Sequence, residues 1–304
     1  HCLAAGAKCR WVLNYRGGAF LIPDIPAFRD DAERLGVTIQ TADADDEAAI
    51  AETVEKNNMD IVFLEKAPKV AVYTPPEKMP WDDAVTLALT YADIPFEKIW
   101  DTEVQAGKLH QFDWLHLHHE DFSGQFGKFW ASYRGAEWYQ RDVARLTDVA
   151  RGSGFASVRD HKLESARAIQ RYVAEGGFLF AMCAAPDSLD IGLAAAPYDF
   201  IAPEIDGTPI DPAYKTHLDF AKTFAFRDFT IFDSPYVYQK SDIDVDPRAV
   251  GLYEDPGTFS LFEFSAKIDQ IPALLTQDHT GVIKNFLGQT TAFHRKTIKD
   301  TVTV

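Results

Sequence analysis

Apolar and polar positions along the chain follow two rhythms. Short apolar runs bounded by turn residues predict strands at residues 11–13, 37–39, 60–64, 69–73, 98–100 and 114–118. Helical spacing occupies 24–36, which stops at Gly36, and 42–56, whose apolar stripe is Ala49, Ile50, Thr53 and Val54. It returns over 80–92, 134–150 and 160–175. The last of these is amphipathic through Leu163, Ala166, Ile169 and Val173 and ends at Gly176-Gly177. Strands alternating with helices from Lys69 to Ala196 predict an α/β fold: a doubly wound, mostly parallel sheet with helices on both faces. Residues 1–66 read as a βαβ-like extension packed on a main domain of residues 67–304. Residues 197–258 are rich in Pro, Asp and Gly and predict an irregular excursion with a short strand at 229–232. Further strand candidates lie at 261–265 and 271–276.

The segment that organises this pattern runs from Gly176 to Ile191. A buried-strand run, Phe178 to Met182, leads into Cys183, and residues 188–196 read as a helix. Strand, sharp turn, nucleophile and helix make a nucleophile elbow. There strand and helix pass so closely that the positions two before and two after must be small. Ala181 and Ala185 fill those positions. A thiol at a helix N-terminus meets free N–H groups and a dipole that favour thiolate. The plainer alternative is an inert core cysteine.

Composition narrows the class. The 304 residues are 46% hydrophobic and 25% charged, as expected of a folded globule. A net charge of −16 argues against a nucleic-acid surface, which needs clustered Lys and Arg. No apolar run reaches the roughly 18 residues that span a bilayer. The chain begins at His1, as if incomplete or processed, so both cytoplasmic and periplasmic locations stay open. Of the three cysteines, Cys2 and Cys9 can pair, which leaves Cys183.

The densest ionisable cluster is His116, His118, His119, Glu120 and Asp121. On a strand His116 and His118 share a face, whereas adjacent His118 and His119 diverge. The cluster can help form a thiol site, bind a metal or serve structural hydrogen bonds. No residue is assigned to a resident metal. His279 follows a strand candidate and can return to a thiol set much earlier in the sequence, or stand as a surface histidine. The carboxyl ends of parallel strands bring Thr74, His118, His119, Glu120 and Cys183 toward one crevice. No dinucleotide fingerprint, P-loop or Gly-x-Ser-x-Gly elbow is present, and no cofactor is implied.

Several phrases carry a resemblance. They include Ala67-Pro68-Lys69-Val70-Ala71-Val72-Tyr73-Thr74-Pro75-Pro76, Pro80-Trp81-Asp82-Asp83, Asp113-Trp114-Leu115-His116-Leu117-His118-His119-Glu120-Asp121-Phe122, Gly177 to Cys183, Leu275 to His279, and Phe286-Leu287-Gly288-Gln289-Thr290-Thr291. Through them the chain resembles a bacterial family labelled asparagine synthetase B. It lacks that enzyme's first-position cysteine and its ATP-pyrophosphatase loop, so a complete asparagine synthetase is not expected. The elbow is similar to that of class I glutamine amidotransferase-like proteins, which implies a flavodoxin-like fold and a Cys-His-acid site. Ala181 and Ala185 stand where that pattern has glycines, and no His-x-Glu follows from His279.

The expectation is a cysteine-dependent hydrolase or amidotransferase-like protein acting on a small-molecule substrate. Cys183 is its nucleophile, with His279, His118, His119 and Glu120 as catalytic candidates. Thr74, Trp81, Asp121, Ala184 and Asp187 are candidates for the substrate site, and amides at 184–185 for the oxyanion. The acid is left open among Glu120, Asp121 and Asp187. The alternatives are a non-catalytic small-molecule or carbohydrate-binding domain of the same fold, using His118, Glu120 and Trp81, and a metal-dependent enzyme using His116–Asp121.

Overall fold

The computed structural model describes residues 1–79, 82–246, 258–260, 282–284 and 292–299. These fall into two units. The first comprises residues 1–67 with a short antiparallel pair, Thr258–Ser260 on Val282–Lys284. The second comprises residues 68–246 and 292–299.

In the first unit, β1 (Cys9–Leu13) is the centre of a three-stranded sheet. It pairs antiparallel with β2 (Ala19–Leu21) and β3 (Asp60–Leu64). The lead-in is therefore antiparallel and not a parallel βαβ unit. Helix α1 (Pro26–Leu35) ends at Gly36, which takes the left-handed conformation at φ 69°. Helix α2 (Ala44–Lys56) starts from a capping box between Asp43 and Asp46. Residues 37–39, expected as a strand, form none, and Val37 and Ile39 are exposed. Cys2 and Cys9 are both free thiols, so the expected pair is not made.

In the second unit, β4 (Val70–Tyr73), β5 (Phe96–Ile99), β6 (Trp114–Leu117) and β7 (Phe178–Ala181) form one wholly parallel sheet in the order β5-β4-β6-β7. Period-2 alternation divides β4 between two cores. Val70 and Val72 meet Val85 and Leu89 of α3 (Ala84–Tyr91) on one face. Ala71 and Tyr73 meet α4 (Asp101–Gln105), α7 (Val158–Ala174) and α8 (Ala185–Ala194) on the other. Helices α5 (Trp130–Tyr133) and α6 (Glu137–Gly152) precede α7 in the connection to β7. Helices thus lie on both faces, as the alternation predicts.

The excursion after α8 builds a core of its own. Phe200, Ile201, Tyr214, Phe226, Phe229 and Ile243 pack on Ile191, Ala194 and Ala195. Residues 229–232 make an isolated bridge, Ile231 with Ser241, and not a strand. Strand candidates 261–265 and 271–276 lie outside the described residues. No helix among the described residues is long and apolar enough to cross a membrane.

Candidate active site

Strand order fixes where a site forms. From β4 the chain goes outward to β5, then crosses back to β6 and β7 on the other side of β4. The carboxyl ends of β4 and β6 therefore flank a topological switch point, where open α/β sheets bind ligands. Helix α3 follows β4, so its N-terminus stands at that same edge.

The N-cap of α3 is Asp83. Its Oδ1 accepts from the amides of Val85 (2.9 Å) and Thr86 (3.0 Å), and its Oδ2 is left facing the switch point. There it meets His118 Nδ1 at 3.1 Å and His119 Nδ1 at 3.7 Å, with the two imidazole Nδ1 atoms 3.1 Å apart. Divergence was expected of adjacent histidines on a strand. Strand β6 ends at Leu117, however, and the His118 amide donates to Glu120 Oε2 (3.0 Å), not to a neighbouring strand. That turn frees both rings to converge. His116 stays on the strand, where its ring packs against Phe180, with centroids 5.0 Å apart. It is not part of the cluster, and burial pushes its pKa down to about 4.

Electrostatics follow the geometry. Burial alone would raise the Asp83 carboxyl, but hydrogen bonds from His118 and the Thr86 amide and the charge of both imidazoles bring it to about 2. The hydrogen bond to Asp83 raises His118, and burial lowers His119. Glu120 is buried, its Oε1 meets no partner among the described residues, and desolvation lifts it to about 7.

Cys183 sits between β7 and α8 with φ 57°. This is the left-handed region, which a non-glycine residue seldom adopts. The turn is held to β6 by the Met182 amide on Leu117 O (3.1 Å) and the Ala185 amide on His118 O (3.3 Å). Ala185 is fully buried, so a larger side chain would have no room there. The Ala185 amide also donates to Met182 O (3.2 Å) and is committed to the turn. Of the two amides expected to hold an oxyanion, Ala184 N–H is the one without a partner among the described residues.

The first turn of α8 grips the loop after β6. Ser188 Oγ donates to Glu120 O (3.0 Å) and accepts from the Phe122 amide (3.2 Å). One turn on, a Cβ on Gly192 would stand 2.9 Å from Phe122 O, so only glycine lets the helix come this close.

The other expected residues take different places. Thr74 is buried and its amide donates to Ile99 O (3.0 Å). Asp121 shapes its own loop, accepting from the amides of Ser123 (2.8 Å) and Gly127 (2.7 Å). Asp187 is buried, and its Oδ1 accepts from the Ser188 amide at 2.8 Å. Buried Lys240 carries the positive charge that acts on both Asp121 and Asp187. Trp81 and His279 lie outside the described residues. Sequence reasoning missed Asp83 as a site residue. The signal present is the acidic pair Asp82-Asp83, which suits the first turn of α3 whether or not it serves a site.

Set against known proteins, the chain matches no protein-family model, no curated protein and no solved structure.

Proposed function

We propose that the chain is a cysteine-dependent hydrolase or amidotransferase-like enzyme of the class I glutamine amidotransferase-like fold, and not a complete asparagine synthetase. The observation that carries this reading is Cys183 at φ 57° in the turn between a parallel strand and a helix. The strand order supports it: numbered from β4, it reads 2-1-3-4, as in the first four strands of a flavodoxin-like sheet.

The chemistry divides among named groups. Cys183 Sγ attacks the carbonyl carbon of a small amide, and its proton passes to His118 Nε2. Asp83, bonded to His118 Nδ1, holds the ring with Nε2 free and supports the imidazolium. The Ala184 amide faces the developing oxyanion. The imidazolium then protonates the leaving amine, and water releases the acyl group from sulfur. Asp83 replaces Glu120, Asp121 and Asp187 as the acid, because it is the carboxylate bonded to the His118 ring, whereas Glu120 meets only the His118 backbone amide. His279 remains the rival base.

Ammonia release from a panel of small amides, glutamine among them, tests this. Wild type is expected to release ammonia and to carry an acyl adduct on Cys183 in intact-mass spectra. Cys183→Ser is expected to lose both, and His118→Asn most of the rate. Equal release by Cys183→Ser would overturn the proposal. Binding of a small metabolite with no turnover by wild type would favour a non-catalytic domain.

A further inference from the structure

We infer that Asp83 Oδ2, His118 Nδ1 and His119 Nδ1 form a divalent transition-metal site, with zinc as the ion the donor set suits best. This goes beyond the thiol reading and does not depend on Cys183.

Hydrogen bonding holds the three atoms only through one shared proton. His118 Nδ1 has one in-plane position. If it carries a proton aimed at Asp83 Oδ2 (3.1 Å), it has no lone pair to accept from His119 Nδ1, also 3.1 Å away. If it accepts from His119, it has no proton for Asp83. His119 Nδ1 lies 3.7 Å from Asp83 Oδ2, beyond hydrogen-bond reach. A proton on His118 Nδ1 can serve both contacts only as a bent three-centre bond, so three electron-rich atoms crowd one point around a single hydrogen.

A single cation satisfies all three. Ligand atoms at about 2.0–2.1 Å from a tetrahedral ion lie about 3.3 Å from one another. The observed separations of 3.1, 3.1 and 3.7 Å bracket that value. Two imidazoles and one carboxylate suit zinc, copper, iron or nickel rather than calcium or magnesium, which take oxygen ligands. The Asp83 carboxylate is already oriented, because Val85 and Thr86 amides hold its other oxygen. His119 is half exposed, so an ion has an entry path. Three protein ligands leave a fourth position for water or substrate, the pattern of catalytic rather than structural zinc. With a metal on Nδ1, the remaining proton of His118 sits on Nε2. The metal-bound and thiol-base forms are then alternative states of the same ring.

The test uses the full chain freed of metal by chelator dialysis. It is titrated with Zn²⁺ by calorimetry and with Co²⁺ by visible absorption. One ion per chain is expected, with the intense bands of four-coordinate Co²⁺. Asp83→Asn keeps an oxygen for the helix cap but loses the ligand, and His119→Asn changes a half-exposed side chain. Each is expected to weaken Zn²⁺ by more than the roughly 10–100-fold that loss of an outer partner costs. His110→Asn, on an exposed histidine elsewhere, is expected to change nothing. Absence of binding by wild type, or binding unchanged in both Asp83→Asn and His119→Asn, would overturn the site. Cys183→Ser is expected to bind as wild type does, which keeps this outcome separate from that of the thiol reading. Loss of binding in Cys183→Ser would overturn the three-ligand assignment.

Discussion

The Ala185 amide donates to the His118 carbonyl at 3.3 Å, so the turn that carries Cys183 is hydrogen-bonded to the residue that meets Asp83. Two segments far apart in the chain thus share one strand edge. The bond follows from β6 and β7 being adjacent and in register, Leu117 opposite Ala181. Each strand delivers its next residues to the same side of the sheet.

The left-handed backbone at Cys183 predicts a substitution series. A non-glycine residue held there costs on the order of 1 kcal/mol or more, and a β-branched residue costs more. Cys183→Val is expected to be about 1–3 kcal/mol less stable than Cys183→Gly in urea denaturation. Equal midpoints for the two would mean that the turn relaxes and stores no strain.

A buried charge pair beneath β4 predicts a stability loss. Lys162 Nζ lies 2.6 Å from Asp101 Oδ2, and Ser165 and the Tyr73 hydroxyl also donate to that carboxylate. Both charged side chains are almost wholly buried. Lys162→Met leaves Asp101 buried without its counter-charge and is expected to cost about 3–5 kcal/mol. Adding Asp101→Leu to Lys162→Met should recover part of that loss. A cost below about 1 kcal/mol for the single variant would show that Asp101 is neutralised by another group, with buried His161 at 3.9 Å the nearest.

Burial of Asp187 predicts a pH dependence. Desolvation lifts its carboxyl to about 6 despite the pull of Lys240. The folded chain therefore holds this proton at pH values where the unfolded chain has released it. The contribution is fully present below about pH 4 and is lost as the pH rises through about 6, worth on the order of 2 kcal/mol. In Asp187→Asn the fall in stability between pH 4 and 7 should be shallower by that amount. An identical slope in the variant would place the titration elsewhere.

Much of the second unit was legible in the sequence. Apolar runs bounded by turn residues marked β4, β6 and β7, and the stripe Leu163, Ala166, Ile169 marked α7, because each places a face on one core; β7, expected as a buried strand, packs Leu179 and Ala181 there and leaves Phe178 and Phe180 exposed. The strand, turn and helix around Cys183 were legible because an apolar run leads into the cysteine and a helical segment follows it. The pairing of Asp83 with His118 was not, since 35 residues separate them and strand order alone brings them together. Convergence of His118 and His119 was missed because strand alternation was carried one residue past the end of β6. The run 37–39 misled because apolar residues do not make a strand without a neighbour to pair with.

Iodoacetamide labelling near pH 6.5 tests, within one molecule, whether Cys183 is an activated nucleophile. Cys2, also partly exposed and free, is the internal reference. Peptide mass spectrometry over time gives both rates. Cys183 is expected to alkylate at least about 10-fold faster than Cys2, and His118→Asn and Asp83→Asn each to remove most of that advantage. Cys183 labelling no faster than Cys2, or a rate unmoved by either substitution, would contradict an activated Cys183.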